Sequence, residues 1–222
     1  MPELTAFYAP GSCSRATLIC LEETGAPYKA QLVSFMQREN RTPEFLALNP
    51  KGKIPVLLVD GKPLTETVAI VDWLNSAFPD AGLMPPTGDA FAKAKALSDL
   101  AWASSALHAL IARVRFPMMY TPLAEAHESV RAGAVAGLHD AYRIVEARLA
   151  DSDWWHGTWS AQDAYLYWVW TRAAEAGFPG EQFAAYTAHN QRMGQRASVR
   201  AVLALEAEGD RNLAARGASI SI

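Results

Sequence analysis

The chain has 222 residues, half of them apolar and 19% charged, with a formal net charge of −3. That is room for one large domain or two small ones, with the balance of a soluble globular protein that has a sizeable core. The charge and the absence of any Lys/Arg run exclude a nucleic-acid footprint, and the longest aliphatic stretch, "IPVLLV" at 54–59, is far too short for a bilayer span.

The first part reads β-α-β-α-β-β-α. "ELTAFYA" is a short strand rich in aromatic and β-branched residues. "SRATLICLEETG" follows as a helix with Leu18 and Leu21 on one face and Gly25 as its C′ residue. "YKAQLVSF" is a second strand. "TPEFLALNP" is a short helix, with Thr42 as N-cap and Pro43 at its first position. "IPVLLVD-GK-PLTE" is a hairpin turning at Asp60-Gly61. "TETVAIVDWLNSAF" closes this part as a helix with Ile70, Trp73 and Leu74 along its apolar stripe and Thr65 or Thr67 as its cap.

"PDAGLMPPTGDA" is dense in Pro and Gly and reads as a linker. Past it the pattern is helical and Ala-rich. Val135, Leu138, Tyr142, Val145 and Leu149 repeat at the three-and-four step of a buried helix face within 123–150. Ser160 stands three residues before Asp163, a capping box ahead of a strongly apolar helix. Final helices are predicted over 181–195 and 198–208, with "GDRNLAARGASISI" as a loosely held polar tail. The domains are therefore set at 1–79, a linker at 80–88, and an all-helical domain at 89–222.

Cys13 lies behind Pro10-Gly11 at the mouth of the first helix. Unpaired backbone N–H groups and the positive end of the dipole collect there and push a thiol toward thiolate. The other thiol, Cys20, is seven residues on, about 10 Å of axial rise if both lie in one helix. A disulfide needs α-carbons within about 7 Å, so the two cannot bridge, and Cys13 needs an external partner. Cys20 reads as an inert small hydrophobe. Two cysteines make no disulfide framework, and the N-terminus carries no signal-peptide pattern, so the expected compartment is the cytoplasm. Two Cys and five His show no zinc spacing, and no glycine-rich phosphate loop is present.

Three stretches carry a family resemblance: "YAPGSCS" at the first strand–helix turn, "NPKGKIPVLLVDGKPLTETVAI" at 49–70, and "GTWSAQDAYL" at 157–166. In this order and across the whole chain they resemble a cytosolic glutathione transferase, most like the bacterial, cysteine-containing beta class. The resemblance implies an α/β thioredoxin-like N-terminal domain followed by an all-α C-terminal domain, usually as a homodimer. It implies glutathione as co-substrate and no metal.

It also implies site residues. The Ile54-Pro55 bond is expected to be cis, with the Ile54 backbone pairing with the cysteinyl part of glutathione. Glu66 and Thr67 sit where a strand becomes a helix, a ready carboxylate site for the γ-glutamyl end. Lys53, Arg38 or Gln37 is in reach of the glycyl carboxylate. Cys13 is the expected partner of the glutathione sulfur in a mixed disulfide; Ser14, donating from the same turn, and Tyr8, at the end of the first strand, are the competitors. His108 matches a family histidine facing the cysteine, but the lysine that often follows it is Ala109 here. Arg113, Phe116, Met119 and Tyr120 are candidates for an apolar electrophile pocket, whereas Trp168 reads as core. The expected function is conjugation of glutathione to small apolar electrophiles. The alternatives are a thiol–disulfide reductase or peroxidase using Cys13, and a non-catalytic ligand-binding member of the fold.

Overall fold

The structure, a computed structural model, describes residues 1–86 and 88–218. Thr87 of the predicted linker and residues 219–222 of the predicted tail lie outside the described residues. Contacts divide the chain into two compact units: Met1–Leu83 together with the segment from Arg196, and Met84–Gln195. The sequence pattern places that last segment in the all-helical domain at 89–222, whereas its contacts group it with the sheet.

The first unit is built on a sheet of order β2-β1-β3-β4, from β1 (Leu4–Tyr8), β2 (Tyr28–Leu32), β3 (Val56–Val59) and β4 (Lys62–Thr65). β1 pairs parallel with β2 and antiparallel with β3, in the register Leu4↔Val59 to Phe7↔Val56. A parallel pair needs a crossover, and α1 (Ser14–Thr24) supplies it. β3 and β4 form the expected hairpin, with positive φ at both Asp60 and Gly61. α2 (Pro43–Leu48) starts as its sequence dictates: Pro43 is at the first position and the Thr42 hydroxyl accepts from Phe45 N–H. Phe45 then packs edge-on against Phe7 and joins Ala9, Val33, Ile54 and Val56 in an apolar cluster.

α3 (Thr67–Ala77) buries Ile70, Val71 and Leu74, while Trp73 is half-buried. Its N-cap differs from expectation. Neither Thr65 nor Thr67 caps it; Glu66 occupies that position and makes no side-chain cap bond.

The second unit is helical: α4 (Ala90–Trp102), a π-type turn over Ala103–Leu107, α5 (His108–Arg115), α6 (His127–Leu149), α7 (Ala161–Glu175) and α8 (Ala184–Gly194). On α6 the predicted face is buried at Leu138, Tyr142, Val145 and Leu149, but Val135 is half-buried and Ala134 takes the interior position. The Ser160–Asp163 capping box forms. Asp163 is fully buried: one oxygen accepts from Trp155 N–H and His189 Nε2, both at 2.9 Å, and the other from the Ser160 backbone and hydroxyl.

α9 (Ala197–Ala215) is longer than predicted, because residues 209–215 of the predicted tail are helical. It returns to the first unit and packs on α1. Its buried stripe runs through Val199, Val202, Glu206, Gly209 and Leu213. A Cβ at Gly209 would lie 2.9 Å from the Tyr8 hydroxyl and 3.1 Å from Pro10 Cγ, so only glycine permits this approach. Gly209→Val should therefore lower stability by about 1–3 kcal/mol through overpacking, read as a fall in the urea midpoint; an unchanged midpoint would show that α9 is not seated on Tyr8.

Candidate active site

Cys13 is the N-cap residue of α1 and is 9% exposed. Its Sγ lies 3.7 Å from the Ile54 carbonyl oxygen, toward which the thiol donates across 41 positions of sequence. The fold thus joins two sequence-predicted features, the thiol at the β1–α1 turn and the Ile54-Pro55 bond, which is cis. Cys20 is free and fully buried, and burial, with the Glu23 charge behind it, pushes its thiol far up. The reactive form is the thiolate, so Cys20 is inert.

The segment before Ile54 is held by a buried asparagine. Asn49 donates from Nδ2 to the Lys53 carbonyl and accepts at Oδ1 from Lys51 N–H. Asn40 Nδ2 donates to the Gly52 carbonyl at 2.8 Å. Gly52 has φ 62°, where a residue with a Cβ is strained, and a Cβ there would displace the Arg41 guanidinium, 2.6 Å away, so the "KGK" glycine suits this turn.

At the α3 mouth Glu66 has φ 71°, a region that a residue with a Cβ seldom occupies. Its carboxylate accepts from Lys51 Nζ, which also donates to Thr65 Oγ1. Thr67 is buried at the first helical position. Because Glu66 provides no side-chain cap, the amides of the first turn are left for an outside acceptor, and a carboxylate fits both their geometry and the dipole.

The competitors to Cys13 are differently placed. Ser14 is 1% exposed; its hydroxyl lies 2.7 Å from Ser12 Oγ and 3.4 Å from the Ala9 carbonyl. Tyr8 is buried with its hydroxyl directed at the Leu205 carbonyl on α9. Burial pushes that phenol up, and the charges of Glu206, Glu208 and Asp210 add to the effect. A weaker acid is a poorer donor to a developing thiolate. Lys53 and Arg38 are exposed, Arg38 with φ 57°. Gln37 reaches the Arg216 carbonyl at 3.4 Å.

In the helical unit, His108 begins α5 immediately after the π-type turn. Its Nδ1 lies 2.9 Å from the Tyr165 hydroxyl and its ring lies over Trp168, which is buried as expected. Arg113 sits over the Tyr120 ring at 4.9 Å, and Arg115 over Phe116 at 5.9 Å. Met119 and Tyr120 are exposed. The structure therefore brings Arg113 and Tyr120 together and places Phe116 with a different arginine.

Sequence reasoning missed Lys51, Asn49 and Arg15. Lys51 and Lys53 are indistinguishable by composition; what separates them is the turn geometry that Asn49 imposes. Arg15 is buried, with Nε and Nη2 both on Glu206 Oε2 at 2.9 and 2.6 Å. A cation in the first turn of a helix opposes the dipole, and that local conflict was the one available signal that a distant acid must answer it.

Residues 11–77 match the family model described as "Glutathione S-transferase, N-terminal domain". The chain is 33% identical to the glutathione S-transferase GstA of Escherichia coli O157:H7 over 206 residues, covering 90% of this chain and 97% of that one. A glutathione S-transferase from Xylella fastidiosa superposes with a TM-score of 0.85 at 28% identity, covering 92% of this chain and 99% of that one. A sphingomonad glutathione S-transferase complexed with glutathione gives 0.79 at 29%, covering 91% and 98%. Among the described residues no helix is long and apolar enough to cross a membrane.

Proposed function

The chain belongs to the glutathione S-transferase family and works as a glutathione transferase, and from that premise we propose that glutathione lies across the β1–α1 turn with its sulfur beside Cys13. The observation that carries the placement is the approach of Cys13 Sγ to the Ile54 carbonyl. A backbone segment there can pair with the cysteinyl residue of the tripeptide while the uncapped mouth of α3, at Glu66 and Thr67, takes the γ-glutamyl carboxylate. Lys53 and Arg38, both exposed, serve the glycyl carboxylate.

The chemistry asked of the site is modest. Lowering a free thiol from about 8.5 by one or two units makes it mostly thiolate at neutral pH, which takes about 1.4 kcal/mol per unit. The thiolate then forms a carbon–sulfur bond with a small apolar electrophile as the leaving group departs. We assign recognition of that electrophile to the helical unit, through Arg113, Phe116 and Tyr120, with His108 as the polar group. The working form is a homodimer in the cytoplasm.

A second reading is favoured by the position of Ser14. With that hydroxyl committed to Ala9 and Ser12, Cys13 is the group that meets the glutathione sulfur, and disulfide exchange becomes as natural as conjugation. Titration calorimetry with millimolar glutathione, followed by a structure of the complex, tests the proposal. Binding heat and a sulfur against Cys13 are expected. No heat, or a tripeptide whose sulfur lies away from residue 13, overturns it.

A further inference from the structure

We propose that Glu206 on α9 is a positioning residue for Cys13, acting through Arg15, so that the C-terminal helix forms part of the thiol's electrostatic setting. The segment that carries Cys13 is gripped on both sides by one helix. Ahead of the cysteine, Tyr8 directs its hydroxyl to the Leu205 carbonyl, and Pro10 meets α9 at Gly209. Behind it, Arg15 places two nitrogens on one oxygen of Glu206. Glu206 and Gly209 are three residues apart, hence on one helix face.

The pair is built, not incidental. Its side chains are 8% and 5% exposed, and two charges leave water only where good geometry offsets the desolvation. Arg15 stands two residues after the N-cap thiol, in the first turn of α1. Its positive charge has the same sign as the dipole at this end of α1 and acts on the thiol through the protein medium, without touching it. Glu206 opposes that charge and fixes where it points. The other ionisable groups on these elements are Tyr8 on β1; Cys20, Glu22 and Glu23 on α1, with Glu22 accepting from the Tyr28 hydroxyl and Glu23 paired with Arg196; and Arg200, Glu208, Asp210 and Arg211 on α9.

The inference rests on Cys13 being the reacting thiol, but its test does not need glutathione. The rate of Cys13 alkylation by iodoacetamide is followed against pH, with Cys13→Ser reporting any background from Cys20. Glu206→Gln should move the midpoint down by about half to one pH unit, making alkylation about three- to tenfold faster at pH 6. Arg15→Met should move it up. The double variant Arg15→Met/Glu206→Leu replaces an ion pair by apolar groups, a change that folds well elsewhere, and should return the midpoint to the parental value. A purely structural tether predicts lower melting temperatures in the single variants with all midpoints unmoved, and that result would overturn the inference. So would single variants that shift in the same direction. If the glutamine variant does not fold, the double variant and Glu206→Asp decide: both must keep the parental midpoint. Absence of glutathione binding would sink the proposed function while leaving these midpoints informative.

Discussion

Cys13→Ala should abolish the mixed disulfide with glutathione and lower glutathione-dependent reduction of a small disulfide by at least about 100-fold. The alanine removes the thiol that approaches the Ile54 carbonyl while leaving the α3 mouth and the Asn49-held turn in place, so glutathione affinity should change by less than about threefold, under 1 kcal/mol. Intact-mass spectra after incubation with oxidised glutathione read the first effect, a coupled reduction assay the second, and calorimetry the third. Conjugation to an aryl halide separates the two chemical readings. A fall of about tenfold, the size of a one-unit change in thiol acidity, is expected if Cys13 sharpens the bound sulfur in both reactions. Full retention would assign that task to Ser14, whose hydroxyl would then have to turn out from Ala9.

The largest stability effect is expected in the helical unit. Asp163 is fully buried and answers Trp155 N–H, Ser160 N–H, the Ser160 hydroxyl and His189. Asp163→Asn keeps the shape but offers one acceptor oxygen where two are used, so its amide must face donors on one side. Each buried donor left unsatisfied costs about 1–3 kcal/mol, and the variant should lose about 3–5 kcal/mol in urea unfolding. Asp163→Ala, which abandons every partner, should lose at least as much. A variant within 1 kcal/mol of the parent would mean that water enters and satisfies these groups.

The local signals in the chain were easy to read because the physics behind them is local. Thr42-Pro43, Asp60-Gly61, Gly25 and the Ser160–Asp163 box each solve a backbone problem within four residues, and each stands where it was expected. The candidate site was legible as three motifs, but their meeting was not. Nothing in the sequence states that Cys13 touches Ile54. Surface charge was the least legible part. Lys51 holds Glu66 and Thr65, while the neighbouring Lys53 contributes its backbone carbonyl to Asn49. The return of α9 to the first unit depends on Arg15 and Glu206, 191 residues apart, and on a missing Cβ at Gly209. Periodicity describes a helix face without saying what covers it.

Glu66 adds a further consequence. An L-residue is held at φ 71° where glycine would sit at ease, a conformational cost of order 1–3 kcal/mol. In a library randomised at this codon and selected solely for survival of heating, glycine should outgrow the parental glutamate. Selecting the same library for turnover should restore glutamate if its carboxylate, by anchoring Lys51, keeps the peptide-binding edge in shape; the two enrichment profiles would then diverge at a single letter.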